Sequence, residues 1–526
     1  MSSKDTENRT YGRRRIIMQA SLLIMLATGL SRILGLVKNV LLADYFGTEM
    51  IMDAYWIAFI VPMLFFQFFT SGMSNYVPLF THEHVRNGKE KAWDFGNQVI
   101  SFHFLLISLG VLIGVLASPL IVKIIVPGAS TELKILSAHL TRILMAITFF
   151  MGFTEVLSNV FYAEEKFTLP TLGGVINNVT ILAVLIFKHD DWGIYALVVG
   201  VVAGSLAQLL LLTPGLWQMR SHLRLRFSFK HPAIKQLIRL SVPTYFSQAG
   251  NYFSNFADKF FASMLPVGAI SALSYAFMVV EIPSSVITLS LLRAVFPAMS
   301  ARFGENDRTG ALRLVVEWLN LLMLVLIPFT LLFIILGKPI LQIIFEHGSF
   351  DAVSTHLTWQ AFVFYSLGIP ATAISGFWGM AFFADKETRV PVILGLLRVI
   401  VNIALNVVLV GIMGVAGLAL STSLSSYIKL LLTKIMFERR FKSVDWRPLR
   451  ESLGKVVLAS GLFVVSLLML WYGLQPVYDA GSFWLRIAIL SGIVILSTAV
   501  YLFTLYGCRQ KDMRLAWQTI VHRRGV

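Results

Sequence analysis

Apolar residues run along this chain in long blocks, each closed by a short polar or basic connector. Crossing the hydrocarbon core of a bilayer takes a helix of about 20 mostly apolar residues. Blocks of that size lie near 16–42, 51–80, 98–121, 135–162, 169–187, 194–217, 234–264, 269–300, 311–336, 355–383, 390–411, 414–437, 453–473 and 482–507. The pattern predicts an all-α integral membrane protein with about fourteen transmembrane helices. Several blocks exceed the minimum, so their helices tilt, kink or extend past the bilayer. Arg13, Arg14 and Arg15 precede the first block, but no small-residue cleavage site follows them, so the block reads as a first span and not a signal peptide.

The connectors set an orientation. Those on the N-terminal side carry Arg86, Lys89 and Lys91, then Lys166, then Arg220, Arg224, Arg226, Lys230 and Lys235. Arg302, Arg308 and Arg313 continue the series, followed by Lys386 and Arg389, and by Arg439, Arg440, Lys442, Arg447 and Arg450. The other side offers Lys123, Lys134, Lys188 and Lys338, and its first loop carries Asp44, Glu49 and Asp53. Lysine and arginine are retained on the cytoplasmic side, which predicts that both termini are cytoplasmic.

An internal repeat adds organisation. Ala163-Glu164-Glu165-Lys166 with Pro170 matches Ala384-Asp385-Lys386-Glu387 with Pro391, and Gly193 with Leu197 matches Gly414 with Leu418. Tyr55 and Pro62 match Tyr275 and Pro283 at nearly the same offset. The reading is two pseudo-symmetric six-helix lobes around a central cavity plus two C-terminal helices, a recurring transporter plan. In residues, this gives a cytoplasmic N-terminus at 1–15, an N-lobe at 16–217, a basic linker at 218–239 and a C-lobe at 234–437. A cytoplasmic loop at 438–452, two helices within 453–507 and a cytoplasmic tail at 508–526 complete the chain. The linker reads equally as an amphipathic helix on anionic headgroups or as a solvated tether.

Composition narrows the function. The chain is 56% hydrophobic and 14% charged, with mean hydropathy +0.75, so it lacks the polar skin a soluble protein of this size needs. Its net charge of +16 is spread over the connectors and forms no groove-like cluster, so nucleic acid is not an expected partner. Cys508 is the single cysteine, which excludes an internal disulfide. No G-x-x-x-x-G-K-[ST], H-E-x-x-H or G-x-S-x-G motif occurs, so neither an ATP motor nor an enzyme is expected. His82-Glu83-His84 lacks metal-ligand spacing, and neither a metal nor a cofactor is expected.

Polar residues inside the blocks are the informative ones, because an ionisable group at the bilayer centre costs at least about 2.5–3.5 kcal/mol. The first block holds Arg32 and Lys38; Asn39, seven residues after Arg32, shares its face, and Gly35 between them permits close approach of a helix or ligand. The seventh has Gln248, Asn251, Asn255 and Asp258 on one face, with Lys259 next. The eleventh has Arg398, Asn402 and Asn406, the fourth Glu155 and Asn159, and the eighth Glu281. Such stripes line a wet cavity or bond neighbouring helices.

The segment Ser31-Arg32-Ile33-Leu34-Gly35, then Phe46-Gly47, Asp53-Ala54-Tyr55, Ala58-Phe59 with Pro62, and Val77-Pro78 resembles the MurJ (MviN) family of lipid II flippases. That family lies within the multidrug/oligosaccharidyl-lipid/polysaccharide exporter superfamily. Tyr275-Ala276 with Glu281-Ile282-Pro283-Ser284 and Phe296-Pro297, and Phe345-Glu346-His347-Gly348-Ser349-Phe350, extend the resemblance over nearly the whole chain.

The resemblance implies a carrier in the bacterial inner membrane that moves an undecaprenyl-diphosphate glycolipid from the inner to the outer leaflet by alternating access. Arg32, Lys38, Asn39, Arg398 and Asn255 are then the expected substrate-binding residues, and Asp53 and Gly35 the gate, with Asp53 pairing with a cation across the lobes. Asp258 and Glu281 are the expected contacts of a coupling ion, sodium or proton, unless membrane potential drives the cycle. Membrane lipids and the cell-wall synthesis machinery are the expected partners.

The chain also departs from the family. Where the family has an arginine pair after Pro62 it has Phe66 and Gln67, and where the family has Asp-Arg in helix eight it has Phe277 and Met278. Arg293, Arg398 and Lys259 are the cations left to replace them. Lipid II is therefore the leading cargo, and an O-antigen, capsule or exopolysaccharide repeat unit, or a small molecule of the multidrug type, stays open.

Overall fold

The computed structural model describes the backbone of residues 3–228, 231–442 and 444–508, and the side chains of that range except 3–22, 243–244, 246–252, 284–286 and 289–294. Among the described residues every regular element is helical. The order is α1 (Ser3–Phe46), α2 (Met50–Thr70), a 3-10 turn (Ser71–Asn75), α3 (Tyr76–Asn87), α4 (Lys89–Ile125), α5 (Thr131–Ala163), α6 (Thr168–Trp192), α7 (Ile194–Leu211) and α8 (Thr213–Met219). There follow α9 (Pro232–Ala262), α10 (Ala269–Gly304), α11 (Arg308–Phe345), α12 (Ala352–Ala384), α13 (Arg389–Met413), α14 (Val415–Arg440), α15 (Arg447–Ala480) and α16 (Phe483–Gly507).

Among the described residues, 12 helical segments are long and apolar enough to cross a membrane, and Ala269–Pro283 is a shorter apolar one. The chain is a multi-pass membrane protein. The two further spans expected from the blocks fall on α9 and α10, which are 31 and 36 residues long but do not qualify by the same measure. The polar stripe of α9 lowers its hydropathy, and parts of both helices lie outside the described side chains.

The chain divides into two compact units, Met1–Gly268 and Ala269–Val526. In the first, α5 packs along α2, α4 and α7, while α1 rests chiefly on α6. An aromatic core of Tyr76, Phe80, Trp93, Phe95 and Phe161 closes the end formed by α3, α4 and α5. In the second, α12 is central, flanked by α10, α11 and α14, and the α15–α16 hairpin leans on α11. The boundary between the units falls at Gly268, after α9. α9 packs against the 3-10 turn, α2, α3 and α4, so its contacts place it in the first unit.

The repeat is visible in the elements. α5 and α12 are each 33 residues and begin at 131 and 352; α6 and α13 are each 25 residues and begin at 168 and 389. α6 ends on Gly193 at φ 53, ψ −130 and α13 on Gly414 at φ 56, ψ −127, left-handed positions where glycine avoids the Cβ clash.

The expected linker is helical in its last part, where residues 232–239 open α9. Residues 223–228 carry no helix and are stitched to α4. Asn97 donates from Nδ2 to the His222 carbonyl at 2.8 Å and accepts the Arg224 N–H at 3.0 Å. Ser101 Oγ accepts the Arg226 N–H at 2.7 Å, and the Arg226 guanidinium pairs with Asp94. Side chains of α4 thus satisfy the backbone that a helix would have satisfied internally.

Prolines inside the spans show how neighbouring helices are fastened. A proline at position i has no N–H for the carbonyl at i−4, and hydrocarbon offers no water in its place. Pro62 frees the Ala58 carbonyl, which lies 3.5 Å from Thr141 Oγ1 of α5, although that hydroxyl's closer acceptor is the Ser137 carbonyl at 2.7 Å; Thr148 donates to the Pro62 carbonyl at 3.0 Å. Pro328 frees the Leu324 carbonyl, and the Tyr501 hydroxyl of α16 donates to it at 2.8 Å. Removing Tyr501's hydroxyl leaves that buried acceptor alone, a loss of about 1–3 kcal/mol. Tyr501→Phe should therefore lower the unfolding temperature in detergent. Pro328→Ala, which resupplies the N–H, should shrink the effect of Tyr501→Phe; an unchanged effect in that background would refute the assignment.

Candidate functional site

Each unit holds its own set of ionisable side chains within the spans. In the first unit the short turn after α1 delivers Asp53 into the first turn of α2, where it is 2% exposed. Its Oδ2 accepts the N–H of Gly268 at 2.7 Å. Gly268 has φ +93, and a Cβ there would lie 2.7 Å from the Thr48 carbonyl oxygen, so only glycine lets the chain pass this closely. Three residues beyond Asp53, the Trp56 ring receives the Lys259 ammonium at 5.9 Å from its centroid. Lys259 also interacts electrostatically with both Asp53 and Asp258. The start of α2 and the end of α9 are thus joined by two carboxylates and one ammonium beside an aromatic face.

The cation in whose field Asp53 lies is Lys259 of α9, which falls in the expected C-lobe range 234–437 and in the same compact unit as Asp53. Asp258, expected at a coupling ion, is buried beside Lys259 and has a protein cation in its field. Asn255, on the same face of α9, is exposed.

α1 presents two faces. Asn178 of α6 donates from Nδ2 to the carbonyl and the hydroxyl of Ser31, both at 3.1 Å. Gly35 and Lys38 follow Ser31 by four and seven residues and so share that side of the helix. A Cβ on Gly35 would stand 3.9 Å from Asn178 Oδ1, so of its two expected uses the structure shows approach of a helix. Arg32 and Asn39 share the adjacent face; Arg32 is exposed, while Asn39 and Lys38 are half-buried. Asn159 of α5 donates from Nδ2 to Glu155 Oε1 of the same helix at 3.0 Å.

In the second unit the Arg398–Asn402–Asn406 stripe divides. Both asparagines are fully buried, and Asn402 donates to Thr422 Oγ1 of α14 at 3.2 Å, a bond between helices. Arg398 is half-buried in the field of Lys429 of α14. The sequence reading missed Lys429; its place inside the 414–437 block was the available signal. Glu281 is exposed on α10. Among the described residues no group of three or more histidine, cysteine, aspartate or glutamate side chains could hold a metal ion. Gln248, Asn251 and Arg293 lie outside the described side chains.

The family model described as lipid II flippase MurJ matches residues 42–489. The chain belongs to the MurJ family. It is similar to a probable lipid II flippase MurJ of Buchnera aphidicola subsp. Schizaphis graminum, 25% identical over 93% of this chain and 96% of the relative. A solved lipid II flippase MurJ in an inward closed conformation superposes with a TM-score of 0.76 at 25% identity, covering 92% of this chain and 100% of that one. A multidrug resistance MATE family transporter of the MOP superfamily, at 15% identity and TM-score 0.67 over 79% of this chain and 95% of its own, shares the fold. MurJ proteins are membrane transporters and not enzymes. The MurJ match begins at residue 42, so Arg32, Lys38 and Asn39 precede it, whereas Asp53, Asp258, Glu281 and Arg398 fall within it.

If the Asp53–Lys259 contact fastens α9 to α2, Asp53→Asn and Lys259→Met should couple. Neighbouring charged partners typically give interaction energies of about 0.5–3 kcal/mol in a double-mutant cycle. Unfolding measurements on the wild type, both single variants and the double variant test this, and strictly additive losses would exclude the contact.

Proposed function

We propose that this chain is a flippase that carries an undecaprenyl-diphosphate-linked envelope glycolipid, lipid II foremost, from the inner to the outer leaflet of the bacterial inner membrane by alternating access. The observation that carries this reading is the MurJ match over residues 42–489. The two cations of the α1 span, Arg32 and Lys38, supply the chemistry. A diphosphate needs positive charge, and the arginine fork binds phosphate oxygens in pairs, whereas lysine acts as a point charge. Both termini are cytoplasmic in this proposal, following the basic connectors.

No nucleotide motif occurs in the chain, so the cycle is reset by a sodium or proton gradient or by membrane potential, which supplies about 2.3 kcal/mol per charge per 100 mV. Asp258 and Glu281 are the proposed contacts of a coupling ion, and the cell-wall synthesis machinery the proposed protein partner. Phe66, Gln67, Phe277 and Met278, standing where the family has charged residues, favour a second reading in which the carried headgroup differs from that of lipid II.

Depletion separates the two cargoes. Lipid II should accumulate in the inner leaflet when the protein is removed, and a normal lipid II distribution with arrested export of another polyprenyl-linked saccharide would decide for the second reading. In proteoliposomes, Arg32→Ala and Lys38→Ala should each slow flipping of a labelled polyprenyl-diphosphate sugar by about tenfold or more, as expected for losing a charge-assisted contact to phosphate. Undiminished flipping in the double variant would remove α1 from the substrate path.

A further inference from the structure

From Ile143 to Phe161 the sequence of α5 carries one ionisable side chain, Glu155. At about 1.5 Å of rise per residue, a hydrocarbon core of about 30 Å takes about 20 residues, the length of this apolar stretch. Glu155 is half-buried within it. It takes no part in the group of Asp53, Asp258 and Lys259. A carboxylate held in such a place needs an answer to its charge.

The answer here is neutral. Asn159, one turn on, donates from Nδ2 to the Glu155 carbonyl at 2.9 Å and to Oε1 at 3.0 Å. The Tyr162 hydroxyl, a turn further, lies in the field of the carboxylate. Among the described residues no cation pairs with Glu155. Thr141 and Thr148 turn towards α2 at Ala58 and Pro62, and Glu155 continues their seven-residue spacing, so it lies on the face that meets the last turns of α2. Those turns, residues 65–70, hold no charge; Asp53 and Tyr55 belong to the first two turns. On α4, Phe104 packs against Phe149 and Phe153, which brings His103 to this height with its Nδ1 2.9 Å from the Val99 carbonyl. The charged residues of α4 gather at its ends, in 89–94 and at Lys123. On α3, the Tyr76 hydroxyl lies in the field of Glu164, and His82, Glu83, His84 and Arg86 occupy the later turns. α7 has Tyr195 at its start, and the 3-10 turn has no titratable side chain.

The internal repeat shows that the helix itself does not require the acid. α5 and α12 begin at 131 and 352, an offset of 221, at which Glu155 corresponds to Gly376 and Asn159 to Met380. The second unit thus builds the same 33-residue helix with neither group. A lone carboxylate with an amide beside it gains most from a proton, because the neutral acid is far less costly to desolvate than the ion. One oxygen suffices for that. A metal ion would need several more ligands, and among the described residues no group of three or more acidic, histidine or cysteine side chains offers them.

We propose that Glu155 is the proton-carrying carboxylate of the transport cycle, an inference that rests on the flippase reading and makes the proton its coupling ion. The ionised carboxylate takes one proton from water on one side of the membrane, forming an O–H bond. That bond breaks to water on the other side once access has changed, and no bond to the cargo forms. Asn159 holds Oε1 and leaves Oε2 to take the proton.

The full-length protein in phosphatidylethanolamine/phosphatidylglycerol vesicles, with labelled undecaprenyl-diphosphate disaccharide and the membrane potential clamped, provides the test. The readout is the ratio of flipping rates with and without an imposed pH gradient. For the wild type that ratio should rise severalfold, up to about tenfold for one pH unit and one proton per turnover. It should fall to about one in Glu155→Gln and recover in Glu155→Asp, which keeps the acid. An unfolding temperature near that of the wild type verifies that Glu155→Gln is folded. Infrared difference spectra of the same vesicles over a pH titration read the proton directly, and a titrating carboxyl band should be present in the wild type and missing in Glu155→Gln. A wild type that flips without responding to the gradient, equal ratios in wild type and Glu155→Gln, or no difference in the carboxyl band would each overturn the proposal. The band without any flipping supports the proton site and sinks the flippase reading.

Discussion

A bilayer gives a polypeptide no water with which to finish an incomplete hydrogen bond, and most of the described structure follows from that constraint. The prolines of α2 and α11 would each strand a carbonyl in hydrocarbon. Helices are fastened beside them instead, because Tyr501 reaches the freed carbonyl of Leu324 and Thr148 the carbonyl of Pro62 from adjacent helices. A helix irregularity and a helix–helix contact are thus one event. The linker after α8 meets the same demand differently, by laying extended backbone against Asn97 and Ser101 of α4.

Charge obeys the same rule more severely, since an ion without a partner loses more on desolvation than a neutral dipole. In the first unit Lys259 faces Asp53 and Asp258, so the charges are answered within the protein. In the second, Lys429 lies in the field of Arg398, a charge of the same sign. The first arrangement suits a structural tie.

The helical blocks and their order were legible in the sequence, because apolar length is a direct consequence of bilayer thickness. So was the repeat, whose matched residues mark the shared ends of α5 and α12 and of α6 and α13. What was not legible depends on pairing between distant segments. Nothing local says that Asp53 meets the N–H of Gly268, since its acceptor role is fixed only when the turn after α9 comes back beside α2. The contacts of α9 with α2, α3 and α4 are likewise encoded by no periodicity. Within the 218–239 stretch, residues 223–228 take backbone partners from α4 where charge pattern alone allowed a helix.

The departures from the family pattern can be weighed with the same physics. Replacing arginines by Phe66 and Gln67 removes charge-assisted bonds to phosphate, which are directional and specific to the headgroup. Apolar contact with a hydrocarbon tail can restore affinity, because it grows with the area removed from water or lipid packing defects and is indifferent to the sugar. It cannot restore discrimination, since every polyprenyl-linked cargo presents a similar tail. On the proposed reading, a carrier built this way binds its lipids partly through the tail and sorts them through the few cations that remain. Arg32, with a planar fork where Lys38 has a single ammonium, then bears most of the phosphate geometry, and the selectivity of the chain is set by what its α1 face admits beside that fork.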